Sequence, residues 1–363
     1  MDIWDYNFSY NGQAVLFNLF LFVFAIYKYK GTYAGRLSAR QSYWSVFILL
    51  VLSATFAYGE ADFYHYQFHY DMMKHYDIQS LSEPVYMWIA KALPDNYFVW
   101  RFSIWASSAA LMIFSLKMVE ANACCAGLML PLYFWGQFSL TRGALGFAII
   151  VFFITLALGC GGKKRLFFLV PILLSIFFHN SISVFLLLLL AAFIVPFNTK
   201  TLKFSLLVFP ILYLSIMAFS KYFLEMNVLN AETEQLAEKY IERADSKLNI
   251  GGIVFDILNF AGQLLMLHVT ITYTLVHKGY TNKAILLLLK YGYLLVYISF
   301  LFYGQSTSSF ISSRFLHAST FPLVIVYSYY LTVHRTNKYD RLALLLLGGY
   351  SLYHILYHMY KWW

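Results

Sequence analysis

Two polar junctions interrupt long apolar runs in this chain: Thr141-Arg142-Gly143-Ala144-Leu145-Gly146 and Phe177-Phe178-His179-Asn180-Ser181. Arginine stays charged at any working pH, and its planar fork of donors grips phosphate oxygens two at a time. The small residues after Arg142 suit a position facing other helices, where ionisable groups are mostly functional. The plainer use is an interfacial anchor whose stem snorkels out of lipid. His179, with an ordinary pKa near ~6.5, can take a proton from a hydroxyl at neutral pH. Its plainer use is to bond loose carbonyls at a helix end. Arg314 follows a hydroxyl-rich stretch, Gln305-Ser306-Thr307-Ser308-Ser309-Phe310-Ile311-Ser312-Ser313. Such a turn supplies donors for sugar or phosphate oxygens, although Ser-rich connections are often plain solvated loops. Arg101, just inside another apolar run, is a further candidate for the same anion.

Other polar groupings say less. Asp62, His65 and His69 fall at i, i+3 and i+7, a spacing that could hold a transition metal on a helix. Chance meets that spacing easily, so no metal is expected. Asp256, Asn259 and Gln263 share a helix face within an apolar run, and such a stripe should face the bundle or a watery groove. Aromatic residues make up 20% of the chain. They can stack on sugars, but aromatic belts at the two membrane interfaces account for most of them.

These residues need elements to position them, and the apolar runs supply them. Twelve runs lie at roughly 13–29, 42–58, 97–116, 123–138, 143–160, 166–178, 182–197, 204–220, 253–276, 284–303, 315–333 and 342–358. Most approach the ~20 residues that cross ~30 Å of hydrocarbon as a helix. The intervening loops alternate in charge. Lys28, Lys30, Arg36, Arg40, Lys117, Lys163, Lys164, Arg165, Lys200, Lys203, Lys278, Lys283, Arg335, Lys338 and Arg341 share one set of loops with two acids, Glu120 and Asp340. The positive-inside rule places that set in the cytoplasm. Arg142, His179, Arg314 and the acidic stretch holding Glu60 and Asp62 then share the external side.

Two external segments are long enough to fold, 59–96 and 221–252. Val85 to Leu93 could form a short interfacial helix. Leu236, Tyr240, Ala244 and Leu248 recur at four-residue steps, which suits an amphipathic helix lying on the membrane. The expected architecture is therefore an all-α polytopic membrane protein of about twelve transmembrane helices with external amphipathic loop helices, one transmembrane domain over 1–363.

Composition excludes other classes. Of 363 residues, 61% are hydrophobic and 12% charged, too few charges to cover a soluble surface. The net charge of +9 sits in short loops between spans, which argues against a nucleic-acid partner. Cys124, Cys125 and Cys160 lie in or beside apolar runs, so neither a disulfide framework nor a zinc site is expected. The acidic start, with Asp2 and Asp5, lacks the basic region of a cleavable signal peptide.

In order and spacing, the motifs resemble the EpsG-like branch of the Wzy-type bacterial polysaccharide polymerases. The matching stretches are Glu60-Ala61-Asp62-Phe63-Tyr64-His65-Tyr66, Glu83-Pro84-Val85-Tyr86, Thr141-Arg142-Gly143-Ala144-Leu145-Gly146-Phe147-Ala148-Ile149, Phe178-His179-Asn180-Ser181 and Ser313-Arg314-Phe315. Two departures stand out: Gly59-Glu60-Ala61-Asp62 replaces the family's Gly-x-Asp, and Gly143 follows Arg142 where Gln is more usual.

The resemblance implies a GT-C-like, metal-independent polymerase without cofactor, in the bacterial inner membrane with its site toward the periplasm. Its substrates would be undecaprenyl-pyrophosphate-linked oligosaccharide repeat units, and its partners membrane lipid, a flippase and a chain-length regulator. Arg142, Arg314 and Arg101 would hold the pyrophosphate and glycan. His179, Asp62 or Glu60 would take the acceptor's proton. A polyprenyl-phosphate-sugar-dependent glycosyltransferase and an O-antigen ligase are the nearest alternatives. From another class, a lipid-linked oligosaccharide flippase should place polar groups near the midplane in paired halves. Here they gather at one face.

Overall fold

The computed structural model describes residues 20, 23, 27, 39–55, 62–76, 84–122, 125, 141–159, 167–178, 182–225, 250–277, 281–303, 309–334 and 337–360. Among the described residues the regular structure is helical throughout, with no strand. The helices are α1 (Ala39–Thr55), α2 (Asp62–His75), α3 (Pro84–Ala92), α4 (Tyr97–Met118), α5 (Thr141–Gly159) and α6 (Leu169–Leu174). They continue with α7 (Ile182–Ile194), α8 (Thr199–Glu225), α9 (Ile250–Val276), α10 (Lys283–Leu301), α11 (Ser309–Val333) and α12 (Lys338–Tyr360). By length and composition, Tyr97–Met118, Thr199–Ala218 and Lys283–Leu301 can each cross a membrane. Shorter apolar helices pack beside them, and the whole is a polytopic membrane protein.

Asparagines start four of these helices. The Asn96 carboxamide accepts from the amides of Phe98 (2.8 Å) and Val99 (3.3 Å) at the head of α4. Asn198 accepts from Thr201 N at 2.9 Å before α8, and Asn282 from Ala284 N at 2.8 Å before α10. Asn337 accepts from the Tyr339 and Asp340 amides while the Asp340 carboxylate accepts from Asn337 N at 2.7 Å, a reciprocal box that opens α12. Each cap satisfies donors that the first helical turn leaves without a partner.

Helices α1, α4 and α5 pack side by side, α10 pairs with α11, and α9 pairs with α12. Helix α11 touches both α4 and α5 and joins the first group to the second. Glycines allow the closest crossings. A Cβ on Gly292 would lie 2.5 Å from Leu323 Cδ2, and one on Gly262 would lie 3.0 Å from Leu347 N. Without a hydrophobic drive between helices in lipid, such small-residue approaches carry the packing.

The helices share one polarity of charge. Lys117 closes α4 with its ammonium 5.3 Å from the Tyr43 ring of α1, and Tyr43 donates to the Ala121 carbonyl just beyond α4. Lys200 and Lys203 open α8, Lys283 opens α10, and Lys338 and Arg341 open α12. These basic residues mark one end of the bundle, called here the basic end. Asn122 N bonds Thr332 Oγ1 at 2.7 Å there, so the end of α11 belongs to it as well.

Several sequence expectations change in detail. Within the runs at 166–178 and 182–197, α6 continues into a 3₁₀ turn (Ser175–Phe178) that leans on α5, and α7 leans chiefly on α10. The run at 315–333 starts earlier as a helix, because Ser309 to Ser313 already form the first turns of α11. Val85 to Leu93 corresponds to α3, and 62–75, within the segment expected to be external, is a further helix. Most of the runs at 13–29 and 123–138, and the stepped pattern at 236–248, lie outside the described residues.

Candidate functional site

Opposite the basic end, the first turns of α4 and α5, the 3₁₀ turn after α6, and helices α2 and α3 meet in an aromatic cluster. Tyr66, Tyr70, Met73, Tyr86, Ala90, Tyr97, Trp100, Ile104 and Leu145 are all buried in it. Trp100 is its centre. Its ring lies 5.8 Å from Tyr70, 6.0 Å from Tyr86 and 5.9 Å from Tyr97, on which it stacks, and its indole N–H donates to Tyr86 O at 3.2 Å. The Tyr86 ring reaches Phe178 at 6.5 Å, which ties α3 to the turn that precedes His179.

Helix ends here are satisfied from a distance. Lys74 on α2 donates to Ala90 O (3.0 Å) and Leu93 O (2.7 Å), closing α3 with a cation where its carbonyls point outward. Tyr70 donates to Asp95 Oδ1 at 3.2 Å, and His75 Nε2 stands 3.4 Å from the same oxygen. Burial, then the Asp95 carboxylate, pushes the Tyr70 hydroxyl up to about 12. Burial raises Asp71 above the usual carboxylate range, with His75 opposing the shift and Asp95 adding to it.

Arg101 is completely buried, although a charged side chain is rarely so without partners. Its Nε donates to Ala54 O at 2.8 Å across the gap to α1, and its Nη1 lies 3.4 Å from the Tyr97 hydroxyl, one turn back. The sequence cannot foretell that burial, since Arg101 lies only four residues inside α4.

Gly146 brings α5 against the segment that leads to His179. A Cβ there would run into the Ile182 side chain and lie 3.4 Å from Phe178 Cβ and 3.6 Å from Ser175 O. Arg142 is one turn before Gly146 on α5, and His179 is the residue after Phe178. The backbone thus puts the second turn of α5, one turn after Arg142, beside the exit of the 3₁₀ turn. Next along, Phe147 lies 4.9 Å from Phe185 of α7, and Phe185 lies 5.1 Å from Phe315 of α11. Arg314 precedes Phe315 and is exposed. Ser299 Oγ donates to Ser312 O at 2.8 Å, which sets the end of α10 against the start of α11.

The site residues expected from sequence therefore fall as follows. Arg101, Arg314 and the backbone of Arg142 lie on helices whose ends converge opposite the basic end. Asp62 begins α2, which packs on α3 and α4 there. The side chains of Asp62, His65 and Arg142, and all of Glu60 and His179, lie outside the described residues. Gln263 is buried in the bundle, whereas the side chains of Asp256 and Asn259 lie outside the description. Trp100 and Gly146 organise this end, and sequence reasoning gave neither of them a role. The signal for Gly146 was present, in the small residues that follow Arg142.

Compared with known protein families, residues 41–363 match the model of the EpsG family. No curated protein and no solved structure matches the chain.

Proposed function

Because the chain belongs to the EpsG family, a family of membrane proteins in polysaccharide biosynthesis, we propose that it polymerises undecaprenyl-pyrophosphate-linked oligosaccharide repeat units into a surface polysaccharide. On this reading it is a GT-C-like glycosyltransferase of the bacterial inner membrane, and the aromatic-cluster end faces the periplasm. A flippase supplies its substrate, and a chain-length regulator works beside it.

One observation carries the reading. Arg142 on α5, Arg314 on α11 and the 3₁₀ turn leading to His179 are chained together by Gly146, Phe147, Phe185 and Phe315 at one end of the bundle. A lipid pyrophosphate concentrates negative charge at headgroup depth, and arginines borne on helices whose ends meet there would complement it.

In the proposed reaction, a hydroxyl of the incoming repeat unit attacks the anomeric carbon of the growing chain. The carbon–oxygen bond to the pyrophosphate breaks, and the lipid pyrophosphate departs with its electron pair. Arg142 and Arg314 neutralise the charge that develops on it, as electrostatic catalysis requires. His179, or else Asp62 or Glu60, takes the hydroxyl proton. The packing of α5 supports the assignment for His179, because Gly146 lies against both Phe178 and Ile182, the described residues on either side of 179–181.

The test is a producing strain in which Arg142→Ala replaces the wild-type protein. Loss of the long-chain ladder on a gel, with single lipid-linked repeat units accumulating, is the expected result. An unchanged ladder overturns the assignment.

A further inference from the structure

Arg101 was expected to hold substrate, yet its side chain has no exposed surface and is engaged by the protein itself. Ala54 is the penultimate residue of α1, so its carbonyl is among those a helix end leaves without an internal partner. The Arg101 Nε satisfies it at 2.8 Å and sets a cation against the negative end of that helix. Burying a guanidinium is expensive, and it persists only where geometry and partners are good. The preceding residue, Trp100, holds α2 and α3 through Tyr70 and Tyr86. Two consecutive residues of α4 thus hold the end of α1 and the helices α2 and α3.

We infer that Arg101 is a positioning residue. It fixes the exit of α1 against α4 and, with Trp100, seats α2 and α3 on the start of α4; it does not grip the pyrophosphate. The inference rests on the polymerase reading of this end and narrows it, leaving Arg142 and Arg314 as the anion's contacts.

The experiment compares wild-type protein, Arg101→Gln, Arg101→Lys and Arg142→Ala in lipid nanodiscs. Each is titrated with undecaprenyl pyrophosphate and assayed for polymer formation on lipid-linked repeat units extracted from cells lacking the protein. Amide exchange is followed at residues 50–62. Arg101→Gln is expected to lower kcat about 100-fold, the order expected of a ~1 Å misplacement. Its Kd for undecaprenyl pyrophosphate and its KM should stay within about twofold of wild type, because uniform binding is untouched. Exchange at Ala54 and Thr55 should rise while α5 stays protected. Arg101→Lys should recover part of kcat, since an ammonium can reach the Ala54 carbonyl without replacing both contacts. Arg142→Ala should weaken Kd by about tenfold or more through its lost charge-assisted bonds.

A Kd or KM that rises as far in Arg101→Gln as in Arg142→Ala overturns the positioning role, and so does a wild-type kcat. If Arg101→Gln does not fold, Tyr97→Phe removes only the hydroxyl beside Nη1. It should cost roughly threefold to tenfold in kcat with Kd unchanged, and an unchanged kcat overturns the inference. If the wild-type protein neither binds the lipid pyrophosphate nor forms polymer, the polymerase reading fails separately. Amide exchange then still decides whether Arg101 fixes the end of α1 at Ala54 and Thr55, and unchanged exchange in the variants overturns it.

Discussion

The described ties at the two ends of this bundle differ in their reach along the chain. At the basic end, α8, α10 and α12 begin on asparagines one residue away, and Asp340 completes the Asn337 cap while accepting from Tyr330 at 2.8 Å. At the opposite end Asn96 caps α4 in the same way, one of several ties described there. The other ties come from distant side chains: Arg101 to Ala54, Trp100 to Tyr86, Lys74 to Ala90 and Leu93. Long-range ties exist at the basic end too, as Tyr43 to Ala121 shows, but the helix starts there do not depend on them. Local caps make helices that begin correctly whatever their neighbours do. Ends held from afar are in place only when the tertiary packing is, so the candidate site is a product of the assembled bundle.

That contrast can be broken experimentally, beginning with its centre. Trp100→Ala removes the ring that joins α2, α3 and α4 and should cost about 3–5 kcal/mol, with polymer lost as well. Thermal unfolding of the purified protein and a polysaccharide gel check both. A wild-type gel at reduced stability would separate the aromatic cluster from function.

Gly146→Val forces a side chain into Ile182 and Phe178, and overpacking of this kind costs about 1–3 kcal/mol. Polymer yield per folded molecule should fall further than stability does, because Arg142 and the turn before His179 are pushed apart. Gly292→Val meets Leu323 away from that turn and should lower stability without the extra loss of yield.

Asn337→Ala at the basic end should cost about 1 kcal/mol, the usual worth of a cap, and leave yield per folded molecule unchanged. The smallest effect concerns pH. Burial raises the Asp71 carboxyl, so α2 gains stability from the protonated form at low pH and loses it as pH rises through the raised value. Asp71→Asn should flatten the acid-range pH dependence of amide exchange in α2. A steeper dependence would contradict the assigned cause.

Much of the helical framework was legible, and for physical reasons. Long apolar runs must become helices in lipid because every backbone group needs an internal partner. Asn96, Asn198, Asn282 and Asn337 mark helix starts that can be read one residue ahead. Hydropathy did not foretell the 3₁₀ tightening at Ser175–Phe178, which lies where α5 approaches. The candidate site was legible as residue types at run ends. That Arg101 is taken up by the protein itself was not, because Arg101 and Arg142 both stand near the start of a helix, α4 and α5.

The order of amino acids alone determined that this is a helical membrane protein with its basic loops on one side, since charge and hydropathy act residue by residue. Only the tertiary structure decided that Arg101 is sealed against α1, that Trp100 gathers three helices, and that Gly146 admits the turn before His179. Those outcomes depend on distances between segments far apart in the chain, which packing sets and no local pattern encodes.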